Sequence, residues 1–109
     1  MATVTDETIE VVEKFLRQLK AADIKIERAI LFGSYVRGQA GKWSDIDIAV
    51  VSPDFSGIRF NDCKMLLPFV LKSDTRIDIH PFRPEDFTED NLIVKEIMKD
   101  GLEIKVHHS

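Results

Sequence analysis

From Ile9 to Leu19 the apolar residues keep one helical spacing: Ile9, Val12, Phe15 or Leu16, and Leu19 form a single stripe. Thr5 or Asp6 is placed to cap that helix, and Glu7 and Glu10 suit the positive end of its dipole. The period then changes. AILFGS, residues 29–34, is a short apolar run closed by glycine, the pattern of a buried strand entering a turn. SYVRGQAG predicts a short helix or an irregular turn, stopped by Gly38 and Gly41, and DIDIAVVS, residues 45–52, predicts a β-branched strand ending at Pro53. Between Phe60 and Leu71, Cys63, Leu66 or Leu67, and Val70 return to helical spacing, but Pro68 predicts an end or a kink near Leu67. RIDIHPF, residues 76–82, alternates as a third strand. Pro84 opens a helix expected to run through NLIVKEIMKD to Gly101, and LEIKV, residues 102–106, alternates as a fourth, edge strand.

The order helix, strand, strand, helix, strand, helix, strand predicts an α/β or α+β domain: a small mixed β-sheet flanked by helices. At 109 residues, 44% hydrophobic and 31% charged, the chain reads as one globular domain over 1–109, with no internal repeat or linker. The net charge of −4 is spread along the sequence without a basic stripe, which argues against a surface built to coat DNA or RNA. One cysteine, Cys63, excludes an internal disulfide and reads as a small hydrophobe. The acidic amino terminus is unlike a signal peptide, and no apolar run reaches the roughly 20 residues of a membrane span, so a cytoplasmic protein is expected.

Chemistry concentrates between Gly33 and Val50. On the strand 45–52, Asp45 and Asp47 share one face while Ile46, Ile48 and Val50 share the other. Two adjacent carboxylates bordering apolar surface repel one another and resist desolvation, and a divalent cation removes the conflict. Their hard oxygens suit Mg²⁺ or Mn²⁺ better than zinc. Asp78, in phase with Arg76 and His80, can join them if the two strands are neighbours. Three carboxylates around one or two metals are apparatus for phosphoryl or nucleotidyl transfer. Asp78 is then a ligand of the metal on the hydroxyl side and a candidate general base. Gly33 lets a phosphate approach the backbone, Ser34 offers a hydroxyl and an amide, Arg37 and Lys42 can steady a triphosphate, and Trp43 can stack on a base.

Each feature has a plainer reading. A strand closed by Gly-Ser is commonly just a turn, and Asp-x-Asp at a strand start is commonly a solvated end. Asp78 can pair with Arg76 or Arg83, Trp43 can be a packing residue, and His80 reads as a surface or hydrogen-bonded histidine. His107 and His108 carry no assignment. The conjunction of turn, spacing, paired aspartates and a third aspartate of matching phase favours a catalytic site.

GSYVRGQAGKWSDID resembles the signature of the DNA polymerase β-like nucleotidyltransferases: Gly-Ser, ten residues, Asp-x-Asp. The similarity is to the smallest members, the minimal nucleotidyltransferases that act as antitoxins beside HEPN-domain toxins. Gly33 and Ser34 match the phosphate-binding pair, Arg37-Gly38 the Arg-Gly that follows, Ser44-Asp45-Ile46-Asp47 the metal motif, and Asp78 the third carboxylate. NLIVKEIMKDGLEIK resembles the family's final helix and strand, and Pro68 is a departure from its middle helix. The resemblance implies a nucleotidyltransferase fold in which Asp45 and Asp47 hold two Mg²⁺ ions and Asp78 one of them. It also implies transfer of AMP from ATP to a hydroxyl, a tyrosine of a HEPN-type helical toxin partner. The alternatives are a nucleotidyltransferase subunit acting on a small molecule, a non-catalytic antitoxin that works by occlusion, and a structural metal site.

Overall fold

The strand patterns resolve into one four-stranded sheet, mixed as the sequence predicts. The computed structural model describes residues 6–37 and 45–106. Along the chain run α1 (Asp6–Ala21), β1 (Arg28–Phe32), α2 (Ser34–Arg37), β2 (Ile46–Val51), α3 (Arg59–Ser73), β3 (Ile77–Phe82), a 3₁₀ turn (Pro84–Asp86), α4 (Leu92–Asp100) and β4 (Leu102–Ile104). β1 pairs antiparallel with β2 and with β4, whereas β2 and β3 run parallel, joined by a connection that includes α3.

The sheet is buried on both sides, which is why β2 reads as a nearly continuous apolar run. On one face Leu31, Ile46, Ile48 and Val50 pack with Val12, Phe15 and Leu19 of α1 and Leu66 and Val70 of α3. On the other, Ile30 and Ala49 pack with Ile97 of α4, and Phe32, Phe82 and Phe87 close the edge of that smaller cluster. The α1 stripe is as expected: Val12, Phe15, Leu16 and Leu19 are buried, and Ile9 is partly buried against them. Among the described residues no helix is long and apolar enough to cross a membrane.

Two elements depart from the sequence expectation. Pro68 does not end the middle helix, which continues to Ser73. Proline leaves the carbonyl of Lys64 without its helical donor, but Lys64 and Pro68 are both exposed and water can take that role. Asp62, Leu66 and Val70 meanwhile hold the opposite side in the protein interior. The last helix is also shorter than expected. The Pro84 segment makes only a 3₁₀ turn, and α4 starts afresh at Leu92. Asn91 caps that start, its side-chain oxygen accepting from the Ile93 amide at 2.9 Å.

Candidate active site

Strand register assembles the site. Phe32, the last residue of β1, lies opposite Asp47 on β2, and Asp47 lies opposite Asp78 on β3. Neighbouring strands put directly opposed side chains on the same face, so the phase read from the sequence becomes proximity. Gly33 follows Phe32 with φ +82°, a left-handed conformation that disfavours other residues. A Cβ at Gly33 would strike the Asp47 carboxylate. The glycine leaves the volume in which Asp47 stands, a role that only the β1–β2 register reveals.

The structure adds a member to the site. His80, opposite Ala49, projects on the same face as Asp78. Its Nε2 is 3.3 Å from Asp47 Oδ1 and 3.5 Å from Asp78 Oδ2. The imidazole stands edge-on against Phe32, with ring centroids 4.8 Å apart. One donor atom each from Asp47, Asp78 and His80 can be chosen so that all lie within 4.8 Å of one another. The signal was present in the sequence, since Asp78 and His80 are two apart on one strand, but histidine at such a place usually serves as an ordinary hydrogen-bonding group. Asp78 is not tied up as a plain surface ion pair: Arg76 pairs with Asp74, and Arg83 pairs with Asp86 and Glu85.

Burial raises the Asp47 carboxyl above the usual aspartate range; His80 opposes the shift and Asp78 adds to it. A half-buried carboxylate beside a second one is a site that gains by taking up positive charge. Two carboxylate oxygens and an imidazole nitrogen suit a divalent cation from Mg²⁺ to the first-row transition metals. Asp45 is exposed, one residue ahead of β2, and outside this three-donor group. Ser34 opens the four-residue α2, where the Val36 amide donates to the Gly33 carbonyl at 3.2 Å. Arg37 closes α2. Lys42, a candidate for steadying a triphosphate, and Trp43, read either as a base platform or as a packing residue, lie outside the described residues together with Gly38, Gly41 and Ser44.

Beyond His80 a cleft of about 620 Å³ opens, lined by Arg59, Arg83, Asp86, Thr88 and Asn91 among others. The order across the sheet is therefore turn, Asp47, Asp78 with His80, and cleft. A second cavity of about 600 Å³ lies between α1 and the end of β4, rimmed by Arg17, Lys20, Lys25 and Lys105. It sits toward the start of β1, away from Gly33, and takes no part in this arrangement.

A site at strand ends, with a glycine turn on one side and paired carboxylates on the other, is the layout expected of an enzyme acting on nucleotides. Residues 9–104 match the model of the nucleotidyltransferase domain, and the chain belongs to that family. No curated protein matches it in sequence. Among solved structures, it is similar to a protein from Sulfolobus solfataricus described as a nucleotidyltransferase (TM-score 0.63, 20% identity, covering 87% of this chain and 77% of the other). It is also similar to a chain of a toxin-antitoxin complex with AMP-PNP (TM-score 0.55, 24% identity, 89% and 72% covered). A mutant of the toxin-antitoxin MntA-HpeT resembles it to the same degree (TM-score 0.55, 23% identity, 89% and 72% covered). These likenesses establish the shared fold.

Proposed function

We propose that this chain is a divalent-metal-dependent nucleotidyltransferase that moves AMP from ATP to a hydroxyl, and that the acceptor is a tyrosine of a HEPN-type helical toxin which it neutralises. The observation that carries the reading is the register that sets Asp47 beside Asp78 at the mouth of the Gly33 turn, in a chain of the nucleotidyltransferase family. The resemblance of its motifs to the minimal nucleotidyltransferases, and a toxin-antitoxin neighbour bound to an ATP analogue, support the choice of nucleotide and partner.

Each residue then has a task. Gly33 lets the triphosphate approach the backbone, and Ser34 donates its hydroxyl or amide to a phosphate oxygen. Arg37 and Lys42 neutralise the remaining charge. Asp47 and Asp78 would hold the metals, joined by Asp45 from its exposed position one residue ahead of β2. When bound, the metals make the acceptor hydroxyl easier to deprotonate and stabilise the departing pyrophosphate, with Mg²⁺ the expected ion and Mn²⁺ a substitute. The acceptor oxygen bonds to the α-phosphorus as the bond from that phosphorus to the bridging oxygen breaks. The acceptor proton passes to Asp78 or to solvent. The cleft beyond His80 lies on the β3 side of the carboxylates, opposite the nucleotide turn, and gives the acceptor its approach.

The test supplies ATP labelled on the α- or the γ-phosphate to the purified chain, Mg²⁺ and a lysate of its native host. Label from the α position on one protein, lost with Asp47→Asn, is the expected result. Label on a small molecule would reassign the acceptor. Label from the γ position alone would replace the reading with phosphorylation. No label, with the partner still bound by Asp47→Asn, would leave an antitoxin that works by occlusion. Unfolding of the chain by EDTA without any transfer would mark a structural metal site.

A further inference from the structure

We propose that His80 is a direct nitrogen ligand of the cation held between Asp47 and Asp78, and that it biases this centre towards Mn²⁺ over Mg²⁺. The inference rests on the metal-dependent reading above but adds a donor to it, since the carboxylate set implied by the resemblance contains no nitrogen. Adjacent ligands of an octahedral ion with bonds of about 2.1 Å stand about 3 Å apart. His80 Nε2 lies 3.3 Å from one carboxylate and 3.5 Å from the other, close to that spacing on both sides at once. A histidine serving only as a hydrogen-bond donor needs one acceptor, whereas this one stands between two.

The surroundings keep it there. Strand alternation aims His80 to the same side as Asp78. The opposed residue, Ala49, is too small to reach across it, and Phe32 supports one edge of the ring. The imidazole is 19% exposed, against 46% for Asp78, so it approaches the cation from the protein side and leaves the Asp78 side to solvent and acceptor. Mg²⁺ favours an all-oxygen shell and sheds its waters reluctantly, while Mn²⁺ accepts imidazole readily. A mixed nitrogen–oxygen set therefore raises the affinity for Mn²⁺ more than that for Mg²⁺.

The experiment uses the full chain with His107→Ala and His108→Ala, so that terminal imidazoles cannot contribute, and Mn²⁺ alone as the probe. Pulsed electron paramagnetic resonance is recorded with natural-abundance and with ¹⁵N-labelled histidine. The expected result is a directly coordinated nitrogen coupling that changes with the label and vanishes in His80→Ala. The preference for Mn²⁺ over Mg²⁺, measured by competition, should fall at least about tenfold in His80→Ala. Circular dichroism checks that the variant folds, and the signal of the unsubstituted His80 site decides the matter even if it does not. Mn²⁺ binding that needs Asp47 but shows no nitrogen coupling would overturn the role of His80 and leave the carboxylate centre standing. Mn²⁺ binding unaffected by Asp47→Asn, or no binding at all, would overturn both.

Discussion

Asp74 ties three parts of the molecule together. Its amide donates to the Val70 carbonyl at the end of α3, and its carboxylate accepts from the Arg76 amide and from two guanidinium nitrogens. Arg76 in turn donates to the Tyr35 hydroxyl at 3.2 Å, linking the entrance of β3 to α2 beside the glycine turn. The guanidinium holds the Asp74 carboxyl below the usual carboxylate range. A carboxylate whose folded pKa lies below its unfolded value, about 3.9, adds stability above that value and loses it as pH falls through the folded one. Asp74→Asn should therefore cost about 0.5–1 kcal/mol near pH 7, a figure reduced for solvent screening because Arg76 is over a third exposed. The difference should close below about pH 4, as urea titrations at both pH values would show. At this scale much of the candidate site was legible: that Gly33, Asp47 and Asp78 lie together follows from a turn signal and strand phase. The contact of His80 with Asp47, and the volume Gly33 leaves for that carboxylate, depend on register, which one strand's pattern does not contain.

Elements show the same division. Periodicity locates α1, β3 and β4, and apolar runs bounded by turn residues locate β1 and β2, because all of these signals arise locally. They fail where a local breaker meets tertiary support. Pro68 sits on the outer side of α3, so packing of Leu66 and Val70 carries the helix past a residue that alone would stop it. Pro68→Ala restores the missing amide at an exposed position and should stabilise the protein by about 1–3 kcal/mol, read from the urea midpoint. A loss of stability would mean that the proline ring packs usefully. Pro84 is the opposite case: a residue well suited to start a helix begins only a 3₁₀ turn. Arg83 instead folds back on Asp86, and the polar run from Thr88 to Asn91 delays α4 until the Asn91 cap.

For the whole molecule, the mixed sheet was readable from the order of the elements, and the family, which the match over residues 9–104 shows, from the spacing of Gly33-Ser34 and Asp45-x-Asp47. The cleft beyond β3 was not, since Gly57, Arg59, Arg83 and Asn91 converge there only after the chain has crossed from β2 through α3. That crossing also sets a timetable. Gly33 and Asp47 are fourteen residues apart and meet through one antiparallel pairing, whereas Asp78 lies thirty-one residues beyond Asp47 and arrives only when the parallel strand docks. Pairing between distant parallel strands is slow, because a longer segment must be ordered before the contact is made. If the proposed centre holds the cation, capture of Mn²⁺ during refolding from urea should lag behind the first gain of helical signal and coincide with the docking of β3. Full capture in the earliest phase would reverse that order. On the proposed function, a half-folded or newly made chain would carry the Gly33 turn without Asp78 beside Asp47, and so stay chemically silent until its fold is nearly finished.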